Sequence, residues 1–253
     1  MISLRNLTKN FNGKTALKGI SFEIRQGEIC GYIGPNGAGK STTVKIMTGI
    51  MPPTSGEVTV AGFDVVRNPE KVKPFIGYVP ETGAVFEVLT PAEYLLFAGR
   101  MQGMEDELIR ARSVLLLDYF GLSPVADTLM TAFSKGMKQK VIICTALLHN
   151  PLVYFFDEPL DGLDAHATVL FKELVRHLAL RGKTIFYCSH LLDIVERICH
   201  RIIILKAGTV IASGNIEELR ELTRQETLED AFGVLTESEE AEEKTVRLLD
   251  GII

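Results

Sequence analysis

The chain has 253 residues, of which 46% are hydrophobic and 23% are charged, and its formal net charge is -5. A chain of this length can bury a sizeable core, and its ordinary composition excludes a disordered or fibrous protein. Its longest apolar stretches fall far short of the roughly 20 residues that a membrane-spanning helix needs, so we expect any membrane partner to be a separate chain.

Charge and cysteine content limit the expected partners and compartment. Five glutamates within residues 237–243 match the whole net charge, and the near-neutral remainder argues against a nucleic-acid partner. The N-terminus lacks the basic start and apolar run of a secretory signal, which predicts a cytoplasmic protein. The four cysteines lack metal-ligand spacing, and we interpret them as reduced core residues.

The first third of the chain is rich in strand signals. Residues 2–7, 20–24 and 57–60 are β-branched and apolar runs bounded by turns that contain glycine, a pattern typical of an antiparallel sheet. The compact apolar run 29–33 ends in a glycine-rich loop, and residues 42–47 then have a helical pattern. This order predicts a strand, a loop and a helix in succession.

The middle of the chain, residues 90–150, has the pattern of helices. Pro91 stands near a predicted helix start, Pro124 interrupts the pattern, and residues 138–148 predict a further helix. We interpret residues 86–150, with approximate bounds, as a helical subdomain inserted into a larger domain.

Three short apolar runs, residues 152–156, 184–188 and 201–205, alternate with helical stretches beyond this subdomain. Such alternation is typical of a parallel sheet with crossover helices. The predicted fold class is therefore α/β, with a mixed or parallel core sheet, an N-terminal antiparallel β subdomain and the helical insertion. We place this domain at residues 1–215.

Residues 216–253 predict a helical and acidic C-terminal extension. Apolar residues at positions i, i+3, i+4 and i+7 form a stripe that we expect to dock on the main domain, namely Leu228, Ala231, Phe232 and Leu235. The glutamate-rich run 237–243 is interpreted as a solvated charge run.

A phosphate-loop pattern, G-x-x-x-x-G-K-[ST], is matched from Gly34 to Ser41 with a predicted strand before it and a helix after it. Glycines let backbone N–H groups turn toward phosphate oxygens, and Lys40 brings a positive charge to the terminal phosphates. The hydroxyl of Ser41 is a candidate Mg²⁺ ligand. This context favours a site for ATP with Mg²⁺ over a plain glycine-rich turn. The predicted nucleotide contacts are Gly34, Pro35, Asn36, Gly37, Ala38, Gly39, Lys40, Ser41 and Thr42.

Two adjacent carboxylates, Asp157 and Glu158, follow the apolar run 152–156. The carboxyl ends of strands are where α/β sheets bind ligands. We predict that Asp157 holds the Mg²⁺ shell and that Glu158 orients and polarises the attacking water. A pair that merely caps the next helix would be the favoured interpretation if no phosphate loop preceded it.

The sequence resembles the ATP-binding cassette (ABC) ATPases from about residue 2 to residue 214. The phosphate loop matches their Walker A motif, and further motifs follow in the family's order: the signature at 133–137, Walker B at 152–158, the D-loop at 161–164, and the switch histidine at 189–190. The resemblance implies that two such domains pair head to tail, with each ATP between one phosphate loop and the partner's signature loop. The second domain is an identical copy or a relative.

The resemblance also implies roles for single residues. Phe11 matches the aromatic that stacks on adenine, although a core aromatic on a strand is an open alternative. His190 would contact the γ-phosphate and the attacking water. Together with Glu158 and Lys40 it completes the predicted catalytic set. Ser134 and Gly136 would face the partner's γ-phosphate.

Two motifs depart from the family pattern. Lys135 and Met137 replace usual signature residues, and Lys135 either adds a charge near the nucleotide or is a solvent-exposed lysine. Glu81 stands where the family has glutamine; it can still bind Mg²⁺ or water, but it cannot donate a hydrogen bond when ionised. These variants, with the segment 228–232, resemble bacterial ABC-2-type exporters.

Three functions are weighed on these grounds. The first is an ATPase subunit, peripheral on the inner face of the cell membrane, that powers transport, and specifically export, through a separate transmembrane permease. The second is a soluble ABC ATPase that acts on ribosomes or DNA. The third is a regulatory subunit without turnover, which would predict loss of Glu158 or His190. The single cassette and the presence of both residues favour the first.

Overall fold

The computed structural model of the protein describes residues 1–236, 247–249 and 252. The strands of this part of the chain are β1 (Ile2–Phe11), β2 (Lys14–Ile24), β3 (Ile29–Ile33), β4 (Ser55–Val60), β5 (Phe63–Asp64), β6 (Ile76–Val79), β7 (Val153–Asp157), β8 (Thr184–Cys188), β9 (Arg201–Lys206) and β10 (Thr209–Gly214). Its α-helices are α1 (Lys40–Met47), α2 (Pro69–Val72), α3 (Pro91–Met101), α4 (Asp106–Tyr119), α5 (Lys135–Leu148), α6 (Ala165–Leu180), α7 (Leu192–Ile198), α8 (Ile216–Thr223) and α9 (Leu228–Thr236). None of the helices in these residues combines the length and the apolar character needed to cross a bilayer.

The strands form two sheets. One is antiparallel, in the order β2-β1-β4-β5, and the other has six strands in the order β10-β9-β3-β8-β7-β6. In the larger sheet β9, β3, β8, β7 and β6 run parallel, while β10 pairs antiparallel with β9. The predicted α/β class, with an antiparallel N-terminal sheet and a mixed core sheet, is confirmed.

The first hairpin is longer than its strand signals predicted. Strand β1 continues to Phe11 and β2 begins at Lys14, beyond the predicted runs 2–7 and 20–24. The turn residues Asn12 and Gly13 both have positive φ, 43° and 86°, as two-residue hairpin turns require. Residues 10, 11, 14 and 15 at the tip of this hairpin are all exposed, so the tip lacks the apolar alternation by which a strand is recognised.

Helix α1, which follows the phosphate loop, lies between the two sheets. Its side chains Val44, Ile46 and Met47 are 0% exposed. They belong to one buried cluster with residues of both sheets, such as Leu4 and Phe155. Close packing on both sides therefore fixes the position of the loop that leads into the helix.

The helical insertion lies in the chain between the paired strands β6 and β7. Helix α3 begins with a capping box, in which the Glu93 N–H donates to Thr90 Oγ1 at 3.2 Å and the Thr90 N–H donates to Glu93 Oε2 at 2.9 Å. Helix α5 begins at Lys135, three residues before the predicted start, because Ser134 caps it. The inserted helical region is confirmed, with α5 beginning at Lys135, and its bounds at residues 86 and 150 stay a prediction.

The C-terminal stripe docks on the main core as predicted. Leu228 and Ala231 are 1% and 0% exposed, and Phe232 and Leu235 pack against the same cluster that covers the larger sheet. The glutamate-rich run 237–243 lies outside the described residues. The division of the chain at residue 215 stays a prediction.

Candidate nucleotide-binding site

The phosphate loop connects β3 to α1 and is closely packed. A Cβ on Gly34 would lie 2.2 Å from the Leu205 carbonyl oxygen. Gly39, at the N-cap of α1, has φ 112°, and a Cβ there would lie 2.9 Å from the Ala16 carbonyl oxygen. Glycine at these two positions is therefore required by packing and backbone conformation, in addition to any approach of phosphate.

Lys40 is the first residue of α1, and its side chain folds back over the loop. Its Nζ donates to the carbonyl oxygens of Gly34 at 2.6 Å and Pro35 at 3.3 Å. The ammonium group is thus held by the loop itself at the mouth of α1, where the helix dipole also favours an anion. The arrangement provides a positive charge for the terminal phosphates.

A cleft of about 650 Å³ opens beside this loop. Most of the predicted site residues line it, namely Phe11, Asn36, Gly37, Gly39, Lys40, Ser41, Thr42, Glu81, Asp157 and Glu158. Gly34 and Ala38 are the buried residues of the loop itself. The cleft thus joins residues of β1, the phosphate loop, the segment after β6 and the end of β7.

Asp157 is a buried carboxyl group at the end of β7, 2% exposed. Its pKa is raised to about 6, first by burial and then by the nearby carboxylates of Glu81 and Glu158, while the Ser41 hydroxyl and the charge of Lys40 partly offset the rise. The Ser41 hydroxyl also donates to Glu81 Oε2 at 3.3 Å. Negative charge is therefore concentrated beside the phosphate loop.

This oxygen-rich corner fits a magnesium ion. A buried carboxylate that is destabilised by a second carboxylate gains from a nearby cation, and hydroxyl and carboxylate oxygens are ligands that Mg²⁺ accepts. Magnesium in such sites takes one or two carboxylates and completes its shell with waters and substrate phosphates. Ser41, Asp157 and Glu81 are the residues that would hold it.

Glu158 is the candidate base in the cleft. It has a positive φ of 47°, and its N–H donates to the Cys188 carbonyl oxygen at 3.0 Å, so β8 fixes its backbone. Its Oε2 lies 2.9 Å from His190 Nδ1 and accepts from Ser189 Oγ at 3.2 Å. The side chain of Glu158 is 14% exposed whereas that of His190 is 70% exposed, so the histidine faces outward.

The predicted signature residues, Ser134 and Gly136, lie outside this cleft although both are in the described part of the chain. Ser134 is exposed at the N-terminus of α5, where its Oγ accepts from the Met137 N–H at 3.2 Å. The Lys135 Nζ lies 2.5 Å from Asp161 Oδ2. The side chain of Lys135 is 71% exposed, so the alternative of a solvent-exposed lysine agrees with the structure, and its ammonium additionally pairs with a carboxylate of the same chain.

The sequence profile described as ABC transporter matches residues 17–161, more than half of the chain. The chain belongs to the ABC transporter family.

Relatives of this family member include ATP-binding subunits from Bacillus subtilis (strain 168). The linearmycin resistance ATP-binding protein LnrL is 39% identical, with 87% of this chain and 70% of that protein covered. The ABC transporter ATP-binding protein NatA is 37% identical over 92% of this chain and 96% of its own length. A solved ATP-binding subunit of an ABC transporter has a TM-score of 0.88 and 33% identity, with 93% of this chain and 99% of that chain covered.

A dimeric ATP-binding cassette in a post-hydrolysis state, bound to ADP and Pi, is also similar, with a TM-score of 0.79 and 28% identity over 85% of this chain and 98% of that one. As an ABC ATPase subunit, the chain binds and hydrolyses ATP. Cassettes of this family work as dimers and associate with membrane components of the transporter.

The ring of Phe11 is 41% exposed at the rim of the cleft of this ABC subunit. This excludes the alternative of a core aromatic. The Lys9 Nζ donates to the Pro52 carbonyl oxygen at 2.7 Å and lies 5.0 Å from the ring centroid, so one face of the ring carries a cation. The other face is the candidate platform for the base.

Phe11→Ala should weaken ATP binding about tenfold or more, because stacking of a base on an aromatic ring contributes roughly 1–3 kcal/mol. Titration with labelled ATP measures the loss, and Phe11→Tyr should retain most of the affinity. Inorganic tripolyphosphate, which has no base, should bind both variants and the wild-type protein equally. Equal losses for ATP and tripolyphosphate would assign Phe11 to the structure of the hairpin instead.

Two contacts of this site were missed in the sequence. Ser189 supports Glu158, and a hydroxyl directly before a switch histidine was the available signal. Lys9 and Phe11 are two residues apart on β1 and therefore share one face of the strand, a relation that alternation alone predicts.

Proposed function

We propose that two copies of this chain pair head to tail and drive export through a separate membrane subunit at the inner face of the cell membrane. The observation that supports the pairing is the separation of Ser134 and Gly136 from the cleft of their own chain. If these residues contact phosphate, they contact the ATP of a second copy. The dimeric cassette with ADP and Pi among the similar structures supports the same arrangement.

In this proposal each residue of the cleft has a separate task. Lys40 and the loop N–H groups bind the β- and γ-phosphates. Glu158 accepts a hydrogen bond from the water whose oxygen attacks the γ-phosphorus, and the bond to the ADP oxygen breaks as inorganic phosphate leaves. His190 lies with its Nδ1 2.9 Å from Glu158 Oε2 and orients that carboxylate.

Ser41, Asp157 and Glu81 complete the site as the proposed holders of Mg²⁺. The ion, when bound, would neutralise charge on the phosphates. Asp157, buried beside two other carboxylates, would then keep its own charge at neutral pH.

Export is the proposed direction because of what the relatives are named for. They include LnrL, a linearmycin resistance protein, and the Nod factor export ATP-binding protein I of Rhizobium meliloti (strain 1021), which is 38% identical over 84% of this chain and 64% of that protein. The cargo is selected by the membrane subunit in this proposal.

An exposed apolar patch on the helical insertion is the proposed docking surface for that subunit. We define the apolar patch as Phe86, Phe97 and Met101, which are 57%, 44% and 72% exposed. The rings of Phe86 and Phe97 meet edge to face at 5.6 Å, and Met101 lies one turn beyond Phe97 on α3. Adjacent exposed side chains of this kind indicate an interaction surface.

Phe97→Glu should reduce recovery of the membrane subunit with this chain at least about tenfold, because a charge would be buried in the apolar contact. The measurement is affinity purification from detergent-solubilised membranes, followed by identification of multi-spanning proteins. Leu180→Glu is the matched control, since Leu180 is an equally apolar residue on α6 that is 81% exposed. Undiminished recovery with Phe97→Glu would contradict the proposed docking surface.

A further inference from the structure

The N-terminal half of α5 is fastened to the segment that follows β7. We call residues 159–164 the D-loop segment. The Gln139 Nε2 donates to the Pro159 carbonyl oxygen at 3.0 Å, and this amide is buried. The Lys140 Nζ donates to Asp164 Oδ2 at 2.9 Å, and the same carboxyl group caps α6. The helix and the segment are therefore joined at two points.

A third and more exposed link is made by Lys135. Its stem crosses Gly162, where a Cβ would lie 3.2 Å from Lys135 Cγ, and its ammonium reaches Asp161 Oδ2 at 2.5 Å. The backbones also approach closely, since a Cβ on Gly136 would lie 2.2 Å from the Gly162 carbonyl oxygen. The side chain of Lys135 is thus laid along the D-loop segment, not extended away from it.

The D-loop segment leads directly back to the proposed base. The Asp161 N–H donates to the Glu158 carbonyl oxygen at 3.2 Å, so Asp161 and Glu158 belong to one turn. Lys135 is consequently two contacts away from Glu158. In the proposed dimer the signature loop serves the partner's ATP while Glu158 serves its own, and this chain of contacts connects the two sites.

We propose that Lys135 is a positioning residue, which holds the D-loop segment through Asp161 and thereby sets the placement of Glu158. The inference rests on the proposed head-to-tail dimer, since only in that dimer do these contacts connect two ATP sites. It differs from a direct role of Lys135 at the partner's phosphate, because the partner of the ammonium is a carboxylate of the same chain.

The test is a set of variants in the full-length chain, assayed for ATP hydrolysis and ATP affinity. Lys135→Met and Asp161→Asn should each lower kcat about fivefold, with KM changed less than about twofold. The expected loss is modest because an exposed ion pair contributes only a small free energy to the position of the D-loop segment. The double variant should be no slower than either single variant. Lys135→Arg should retain most of the activity. Lys73→Met, which breaks an exposed pair with Glu70 at 2.7 Å on a different part of the surface, is the matched control.

The salt dependence of kcat distinguishes an electrostatic role of Lys135 from a purely structural one. The ratio of wild-type to Lys135→Met kcat should fall toward one as ionic strength rises, because salt screens exposed pairs. Additive losses in the double variant would overturn the inference. So would a loss confined to KM in Lys135→Met with Asp161→Asn unaffected, a result that assigns Lys135 to the partner's phosphate.

Failure of the proposed function would look different. The proposed dimer is contradicted if the wild-type chain neither hydrolyses ATP nor forms a dimer in the presence of ATP. The energetic coupling between Lys135 and Asp161 can still be measured in that case, by a double-mutant cycle in urea unfolding. Zero coupling in that cycle overturns the inference by itself, and a favourable coupling supports it.

Discussion

Glu158→Gln should lower kcat for ATP hydrolysis at least about 100-fold while ATP binding is retained. The amide has the shape of the carboxylate and can keep the contacts with Ser189 and His190, but it cannot accept the proton or strongly polarise the attacking water. Nucleotide that is bound and not hydrolysed should trap the closed dimer. Steady-state kinetics and size-exclusion chromatography with ATP and Mg²⁺ measure the two effects.

The control for this variant is Glu173→Gln, which removes an exposed carboxylate of α6 that pairs with Arg176 at 3.1 Å. It should hydrolyse ATP at the wild-type rate and show no trapped dimer. Turnover of Glu158→Gln within about twofold of wild type would remove Glu158 from its proposed role.

Asp157→Asn should raise the free energy of unfolding at pH 7, in the absence of Mg²⁺, by up to about 3 kcal/mol. The pKa of Asp157 is about 6 in the fold against an ordinary value of 3.8, so ionisation of this carboxyl group is disfavoured in the folded protein. Below pH 3.8 the carboxyl group of Asp157 is neutral in both the folded and the unfolded protein, and ionisation costs no stability. As pH rises from 3.8 through about 6, the unfolded state ionises first, and the free energy of unfolding of the wild-type protein falls. The advantage of Asp157→Asn should therefore grow across that interval and then level off.

Urea unfolding at pH 4, 5, 6 and 7 measures this profile. Added Mg²⁺ with nucleotide should raise the stability of the wild-type protein and should have less effect on Asp157→Asn, because a proposed metal ligand is lost. Asp127→Asn, a change of an exposed residue outside the nucleotide cleft, is the control and should follow the wild-type pH profile. A wild-type stability equal to that of Asp157→Asn at every pH would contradict the electrostatic account.

The phosphate loop and the Asp157-Glu158 pair could be predicted because their patterns are local and each adjoins a buried strand. The exposure of Phe11 could not, because the polar hairpin around it carries no alternation. The raised pKa of Asp157 depends first on its burial at the end of β7 and second on Glu81, which the parallel pairing of β6 with β7 brings beside it from 76 residues earlier in the chain.

The contact between α5 and the D-loop segment could not be predicted from the sequence either. Lys135 and Asp161 are separated by 26 positions and neither belongs to a periodic pattern, so their pairing became visible only with the packing of α5 against the D-loop segment. The sequence showed that Lys135 departs from the family pattern but not what it contacts.

The burial of α1 between the two sheets limits which parts of the subunit can respond to nucleotide. Because the side chains of Val44, Ile46 and Met47 are fully buried, α1 and the phosphate loop joined to it have little room to move when ATP binds. The segments around Glu81 and Asp161, by contrast, are exposed. Both segments border α5, so they are the places where residues of the nucleotide site adjoin the helical insertion.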